Sequence, residues 1–361
     1  MRKSFTTLGV VVCILLGNAH AFAQNVEYSV TGLGSLGGNW SRAYGMNNNG
    51  QVVGDSYTAG GVLDPFLYSG GSMLDLGALG GSEGLAYGIN NNGQVAGYAY
   101  TADGVRQAFL YSGGSMLGLG TLGGSVSSAY GINDNGQVVG YSDMAGGSQQ
   151  AFLYSGGLML GLGTLGGSQS YAFGINNNGT VVGYATTSDN AMRAFLYSGG
   201  SMLDLGTLGM NCGYGINDNG QVVGYSAVAG DGTHASLYSG GSVLDLGTLG
   251  GSINTRSCAY GINNNGQVVG YSDDAHPLAF LYSGGLMLDL NNLIAPGSGW
   301  TLREARAIND NGQIVGYGIN PSGNGEAFLL TPVQIPEPAT WSLLLLGIGV
   351  LLGSRRLRRS S

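Results

Sequence analysis

An Asn-Gly pair returns through this chain at nearly constant intervals, inside phrases such as Tyr130–Ser142 (YGINDNGQVVGYS). The turn glycines fall at Gly50, Gly93, Gly136, Gly179, Gly220, Gly266 and Gly312, spaced by 43, 43, 43, 41, 46 and 46 residues. Such a period signals a repeat architecture, in which each unit buries its apolar surface only against its neighbours. Asn-Gly favours positive φ at both residues, as a two-residue type I′ turn requires, so Tyr130–Asn133 and Gln137–Ser142 are predicted to pair as a hairpin.

A second tight turn follows in each unit. After a variable connection such as Asp143–Gln150 come Ala151–Ser155, the pair Gly156-Gly157, and Leu158–Gly163. Gly-Gly is again hairpin chemistry. Each unit therefore reads as four short antiparallel strands, with TLGGS leading into the next. The 71 glycines recur at fixed phases between Val, Ile, Leu, Phe and Tyr, which marks turns and close packing and not a flexible linker. Val138 and Val139 are adjacent and apolar, as are Phe152 and Leu153. Successive strand side chains point to opposite faces, so both faces of the sheet are buried.

A four-stranded sheet covered on both sides by copies of itself is a propeller blade. The fold class predicted is all-β: a seven-bladed β-propeller of four-stranded antiparallel blades. A β-solenoid is the alternative, but its parallel coils have no use for two tight hairpins per repeat. The chain opens with a lone fourth-strand segment, Tyr28–Gly34, and ends its repeats with the first three strands of a seventh unit, Arg306–Leu330. Pairing the N-terminal strand with those last three closes the ring and removes exposed strand edges.

The flanks differ in kind. Arg2 and Lys3, the apolar run Leu8–Leu16, and Ala21-Phe22-Ala23 before Gln24 form the layout of a secretory signal peptide cut between Ala23 and Gln24. Residues 1–23 are thus the leader and 24–331 the propeller. Pro332, Pro336 and Pro338 make 332–340 a stiff spacer, and 341–361 hold a nearly unbroken apolar stretch followed by Arg355, Arg356, Arg358 and Arg359. A helix over Ala339–Ser354 would span about 24 Å, marginal for a bilayer and suited to a transient stay in the inner membrane.

Between Tyr28 and Thr331 there are six arginines and eighteen carboxylates. That surface repels phosphate backbones, which excludes nucleic acid as a partner. Cys212 and Cys258 each precede a repeat tyrosine by two residues, so they occupy equivalent places in consecutive units. They are either two buried thiols or a disulfide between neighbours in an oxidising compartment. His234 and His276 lack a Ser-His-Asp or metal-ligand pattern nearby and read as surface loop residues. HExxH and P-loop motifs are absent, and the turns carry one Asp (Asp134, Asp218, Asp310) or none, too few for a calcium loop. No catalytic residue, metal or cofactor is expected. Asp75, Asp204, Asp245 and Asp289 recur in the fourth strand, but Gly118 and Gly161 interrupt the series, as a solvated outer strand permits. Tyr98, Tyr141, Tyr184, Tyr225, Tyr271 and Tyr317 share one phase and read as packing between blades. Trp40, Tyr57, Tyr100 and Trp300 fall outside it and either cover core or stack on sugar rings.

Two resemblances add to this reading. Pro336-Glu337-Pro338, an apolar stretch and an arginine cluster resemble the PEP-CTERM sorting signal of Gram-negative bacteria. The resemblance implies recognition by an exosortase, loss of the tail, and release or attachment at the cell surface, often where exopolysaccharide is made. The repeats, through Gly131–Tyr141 (GINDNGQVVGY) and Ala151–Gly157 (AFLYSGG), resemble the extracellular HAF-repeat family. The namesake His-Ala-Phe becomes Gln-Ala-Phe at Gln107 and Gln150, Arg-Ala-Phe at Arg193 and Glu-Ala-Phe at Glu326, while His234 is followed by Ser236 in place of Phe. The function expected is an exported, non-catalytic binding or structural propeller at the surface or in the matrix, with an extracellular polysaccharide or surface protein as partner. The alternative is a polysaccharide lyase or hydrolase on a propeller scaffold.

Overall fold

The computed structural model describes residues 27–229, 232–250, 256–273 and 276–333. The leader with its Ala23/Gln24 cut, the Pro336-Glu337-Pro338 motif, the apolar stretch and the arginine cluster lie outside them. Strand β1 covers Glu27–Gly32. The first complete blade is β2 (Gly37–Met46), β3 (Val52–Thr58), β4 (Leu63–Ser69) and β5 (Ser72–Asp75), hydrogen-bonded in that order. The same order repeats in β6–β9 (Gly80–Gly118), β10–β13 (Gly123–Gly161), β14–β17 (Gly166–Asp204), β18–β21 (Cys212–Gly247) and β22–β25 (Arg256–Asp289). The seventh sheet joins both ends of the repeat region, in the order β1, β28 (Gly325–Val333), β27 (Ile314–Ile319), β26 (Thr301–Ile308). The fold is therefore the seven-bladed, closed propeller that the repeats predict. Leu33 N donates to the Ala327 carbonyl at 2.9 Å and Ser29 Oγ to the Thr331 carbonyl at 3.3 Å, the antiparallel sense closure needs.

The core lies between blades. Val53 of the first blade packs with Ala86, Val95 and Phe109 of the second, and Val139 of the third with Ala172, Val181 and Phe195 of the fourth. The third-strand phenylalanines Phe66, Phe109, Phe152, Phe195, Phe280 and Phe328 are fully buried. The strand-two glycine is fixed by a close approach: a Cβ on Gly140 would sit 1.9 Å from the Ser128 carbonyl oxygen.

Three local expectations differ from the structure. The Asn-Gly turn is not type I′. Gly136 has φ +73°, but Asn190 is the one non-glycine with positive φ among the described residues. Gly136 N donates to the Asn133 carbonyl and Asn133 N to the Gln137 carbonyl, giving a three-residue loop with glycine alone in the left-handed region. The Asn133 side chain is the cause: its Oδ1 accepts from Asn135 N and Gln137 N, which folds the loop around the amide. The Gly-Gly turns do have both residues left-handed, with Gly156 at +59° and Gly157 at +87°. Secondly, inner strands start earlier than expected, β10 at Gly123, because the GGS of TLGGS already pairs with the second strand. Thirdly, β28 continues through Pro332 to Val333. A proline at a strand's end forfeits only one ladder donor.

Candidate functional site

The innermost strands surround a central channel, and its residues fall into two girdles and one irregular seam. The first girdle is the ring of Asn-Gly turns at one mouth, around a cavity of about 170 Å³. Asn47 Nδ2 donates to the Asn90 carbonyl of the next blade at 3.0 Å. The same bond runs from Asn90 to Asn133, on to Asn176, Asn217, Asn263 and Asn309, and back to Asn47. These asparagines are almost fully buried, so each amide holds its own turn and fastens the next blade. Sequence reasoning assigned them to turn geometry alone; the second bond reaches a whole repeat away, 41–46 residues and 262 at closure, and is invisible in a local window.

One position further along, Asn48, Asn91, Asp134, Asn177, Asp218, Asn264 and Asp310 form an outer circle. Each backbone N–H donates to the next side chain's Oδ1. Each aspartate also accepts at Oδ2 from the asparagine amides on both sides, as Asp134 does from Asn91 and Asn177. Three hydrogen bonds per carboxylate leave these groups engaged by protein. Among the described residues no cluster of three or more His, Cys, Asp or Glu is placed to hold a metal ion.

The second girdle is aromatic. Tyr44, Tyr87, Tyr130, Phe173, Tyr214 and Tyr260 follow one another around the channel with ring centroids 4.9–5.4 Å apart. In the seventh blade Arg306 takes the place of the ring. Its guanidinium carbon lies 4.0 Å from the centroid of Tyr260 and 5.7 Å from that of Tyr44, so cation–π contact completes the circle. Glu304 Oε2 accepts from Arg306 Nε at 2.9 Å. Burial pushes the Tyr87, Tyr130, Tyr214 and Tyr260 phenols well above their ordinary range.

The seam between the last and first blades breaks the repeat. Asp55 stands where other blades have Tyr98, Tyr141, Tyr184, Tyr225, Tyr271 and Tyr317. It is 2% exposed, and its Oδ1 has no hydrogen-bond partner. Burial pushes its carboxyl up to about 7, against the pull of Arg42 and Arg306. Arg42, opposite Asp55 across β2 and β3, makes one long hydrogen bond, to Tyr44 Oη at 3.5 Å. Its guanidinium lies 5.1 Å from the rings of both Trp40 and Tyr317. Trp40 also meets Tyr57 at 5.8 Å, and Tyr57 is 39% exposed. Aligning the repeats and marking where charge replaces an aromatic would have found Asp55 and Arg306 from sequence.

Other expected positions resolve locally. His234 lies within the strand Gly232–Ser239, not in a loop, and its Nδ1 is 2.8 Å from Asp245 Oδ2. Ser236 is two residues on, but its Oγ is buried without a partner, so no triad forms. The outer-strand carboxylates answer their third-strand neighbours. Asp204 pairs with Arg193 at 2.9 Å, whereas a Cβ on Gly118 or Gly161 would strike Gln107 or Gln150. Cys212 and Cys258 are both buried, free thiols; burial raises the first well above its ordinary range and the second to about 12. Trp300 covers core, edge-on to Phe328. Tyr100 packs edge-on to Tyr98, and His276 is exposed.

Beyond the ring, residues 334–359 match a known signal. It is the PEP-CTERM protein-sorting motif. The motif implies processing by an exosortase, export, and a cell-surface or extracellular location. No curated protein matches this sequence. The β-propeller domain of the trilobed protease from Pyrococcus furiosus is 8% identical, over 83% of this chain and 99% of its own, with a TM-score of 0.52. That domain has an open velcro topology, whereas β1 closes this ring. A puromycin-hydrolyzing peptidase from Mycobacterium tuberculosis is 10% identical, over 86% of this chain and 54% of its own, with a TM-score of 0.55. Both likenesses concern the fold alone. AofleA from Arthrobotrys oligospora, 12% identical over 73% of this chain and 88% of its own, has a TM-score of 0.40 and adds nothing to them. Among the described residues no helix is long and apolar enough to cross a membrane.

Proposed function

We propose that this chain is an exported, non-catalytic binding propeller, delivered through a signal peptide, handed to an exosortase at a brief inner-membrane stop, and placed at the cell surface or in an exopolysaccharide or biofilm matrix. The observation that carries the reading is where the repeat fails. Six blades present the channel with aromatic rings held by their neighbours, and the departures from that pattern gather at one seam, in Trp40, Arg42, Asp55, Glu304 and Arg306. Repetition supplies a rigid frame, and a local break in it is where recognition of a particular partner can reside. The HAF-like phrases and the acidic surface agree with an extracellular partner that is not nucleic acid.

A second reading, hydrolysis or lysis of a polysaccharide, draws support from Asp55 and Glu304, two carboxylates from different blades that both lie close to Arg306. Against it stands the burial of Asp55, which denies a substrate access to the acid. The test is to incubate the exported protein with matrix polysaccharide from its host. Co-sedimentation without release of reducing ends or unsaturated sugars is expected. Turnover, abolished in Asp55→Asn and Glu304→Gln, would overturn the non-catalytic reading, and absence of co-sedimentation would overturn the binding role.

A further inference from the structure

At the same seam, on the edge of the blade interface, lies a cavity of about 150 Å³ lined by Ser35, Asn39, Trp40, Asn320, Asn324 and Glu326 among others. Both ends of the repeat region build it. The linker after β1 and the start of β2 form one wall, and the β27–β28 turn forms the other. That turn is held by Asn320, whose Oδ1 accepts from Ser322 N and Asn324 N at 2.9 and 3.0 Å. Glu326 ties the walls together: Oε1 accepts from Gly34 N at 2.8 Å and Oε2 from Asn320 Nδ2 at 2.5 Å. A carboxylate offers about four acceptor positions, so Glu326 retains capacity toward the cavity. The side-chain amides of Asn39 and Asn324 are exposed and bond to no described residue. Trp40 is braced by Tyr57, Tyr317 and Arg42, which fixes its indole. At the equivalent place other blades carry Glu83, Val126, Gln169, Arg256 and Thr301, none of them a flat ring.

We propose that this cavity binds one neutral pyranose unit of a glycan, an assignment that rests on the binding role above and gives it a place. The chemistry matches group for group. A pyranose presents an apolar C–H face, which an immobilised indole covers at little entropic cost. Its hydroxyls both donate and accept, and here a carboxylate awaits donors beside two amides that can do either. Glu326 is the sole charged residue lining the cavity, and the whole chain is acidic, so acidic sugars are repelled.

The experiment is saturation-transfer NMR of the exported protein with methyl glycosides of neutral hexoses and, in parallel, of hexuronates. Saturation of the neutral glycosides is expected. Loss of the stacking surface in Trp40→Ala should weaken affinity about tenfold, equivalent to about 1.4 kcal/mol. The double change Asn39→Ala, Asn324→Ala touches only exposed side chains, leaves the melting temperature in place, and should weaken binding severalfold. Leu158→Ala, an exposed side chain on the third blade and no part of the cavity lining, should bind as the parent does. Equal binding by the Trp40 and double-amide variants would overturn the site, and preference for hexuronates would overturn the ligand class. Absence of any glycoside signal while the parent still co-sediments with matrix polysaccharide would remove this site and leave the binding role intact. Glycoside binding without co-sedimentation would do the reverse.

Discussion

Replacing Asn133 by alanine measures how much the asparagine girdle holds the ring. The side chain makes four hydrogen bonds: Nδ2 to Gln137 Oε1 at 2.8 Å and to the Asn176 carbonyl at 3.0 Å, with Oδ1 accepting from Asn135 N at 3.1 Å and Gln137 N at 3.0 Å. It is 3% exposed, so water does not take over its contacts. At about 0.5–1.5 kcal/mol net per bond, the loss is about 2–6 kcal/mol. Over roughly 300 residues the unfolding entropy near 60 °C is about 0.6 kcal/mol per degree, so the melting temperature should fall by about 3–10 °C. Asn135→Ala removes one exposed bond, to the Asn177 carbonyl, and should cost no more than about 1.5 kcal/mol. Asn133→Asp keeps the acceptor that shapes the turn but buries a carboxylate oxygen against the Gln137 Oε1 and Asn176 carbonyl acceptors, so it should destabilise at least as much as Asn133→Ala at neutral pH. Calorimetry of the three variants is the assay. If Asn133→Ala melted with Asn135→Ala, both within about a degree of the parent protein, the asparagines would be turn formers only.

Removing residues 28–34 strips the closing strand and exposes the sites of Tyr28 and Leu33, 3% and 5% exposed; burial of the two side chains alone is worth about 3–6 kcal/mol, so the melting temperature should drop far more than for an exposed-loop deletion of equal length. Asp55 keeps its proton in the folded state up to about pH 7, against an ordinary carboxyl value near 4. Its contribution to stability is therefore complete below that ordinary value and is lost as pH rises from about 4 to 7. Asp55→Asn should raise the melting temperature at pH 8 and leave it unchanged at pH 4; equal melting at pH 8 refutes the account. The Cys258 thiol and the Tyr98 and Tyr225 phenols, all pushed up to about 12 by burial, stabilise the fold below their ordinary values and cease to do so as pH climbs toward 12, so urea midpoints should fall through that window. At pH 8 a disulfide-exchange reagent should modify neither Cys212 nor Cys258 until denaturant is added; thiols that stay silent even then, and react only after reduction, would reveal a bridge.

The ring was legible because its constraint is periodic. Gly50 to Gly312 set the number of blades, the adjacent valines of QVVGY set burial on both faces, and the orphan strand at Tyr28 set closure. Turn type was misjudged because Asn-Gly chemistry considered alone omits the upstream Asn133 side chain, which captures two backbone donors and leaves only glycine left-handed. The inter-blade bonds of Asn47 and its equivalents could not be read, since their acceptors lie one repeat away and exist only once the blades close into a ring. The Arg306 cation in the aromatic girdle was open to discovery by phase. The pairing of His234 with Asp245 was not, because it depends on the cross-strand register after a Gly-Gly turn. Trp40 stood out in the sequence for falling outside the repeat, but its companions Asn324 and Glu326 are nearly three hundred residues downstream and reach it only through closure.

The position of β28 has a mechanical consequence. It lies inside its sheet, hydrogen-bonded to β1 along one edge and to β27 along the other, and the sorting motif begins at the residue after it ends. A tug along the strand axis beyond Val333 therefore loads ladders on both sides of β28 in shear, and does not act on a border strand held along one edge only. The chain thus leaves the ring from a strand held along both edges, at the point where a tether would pull.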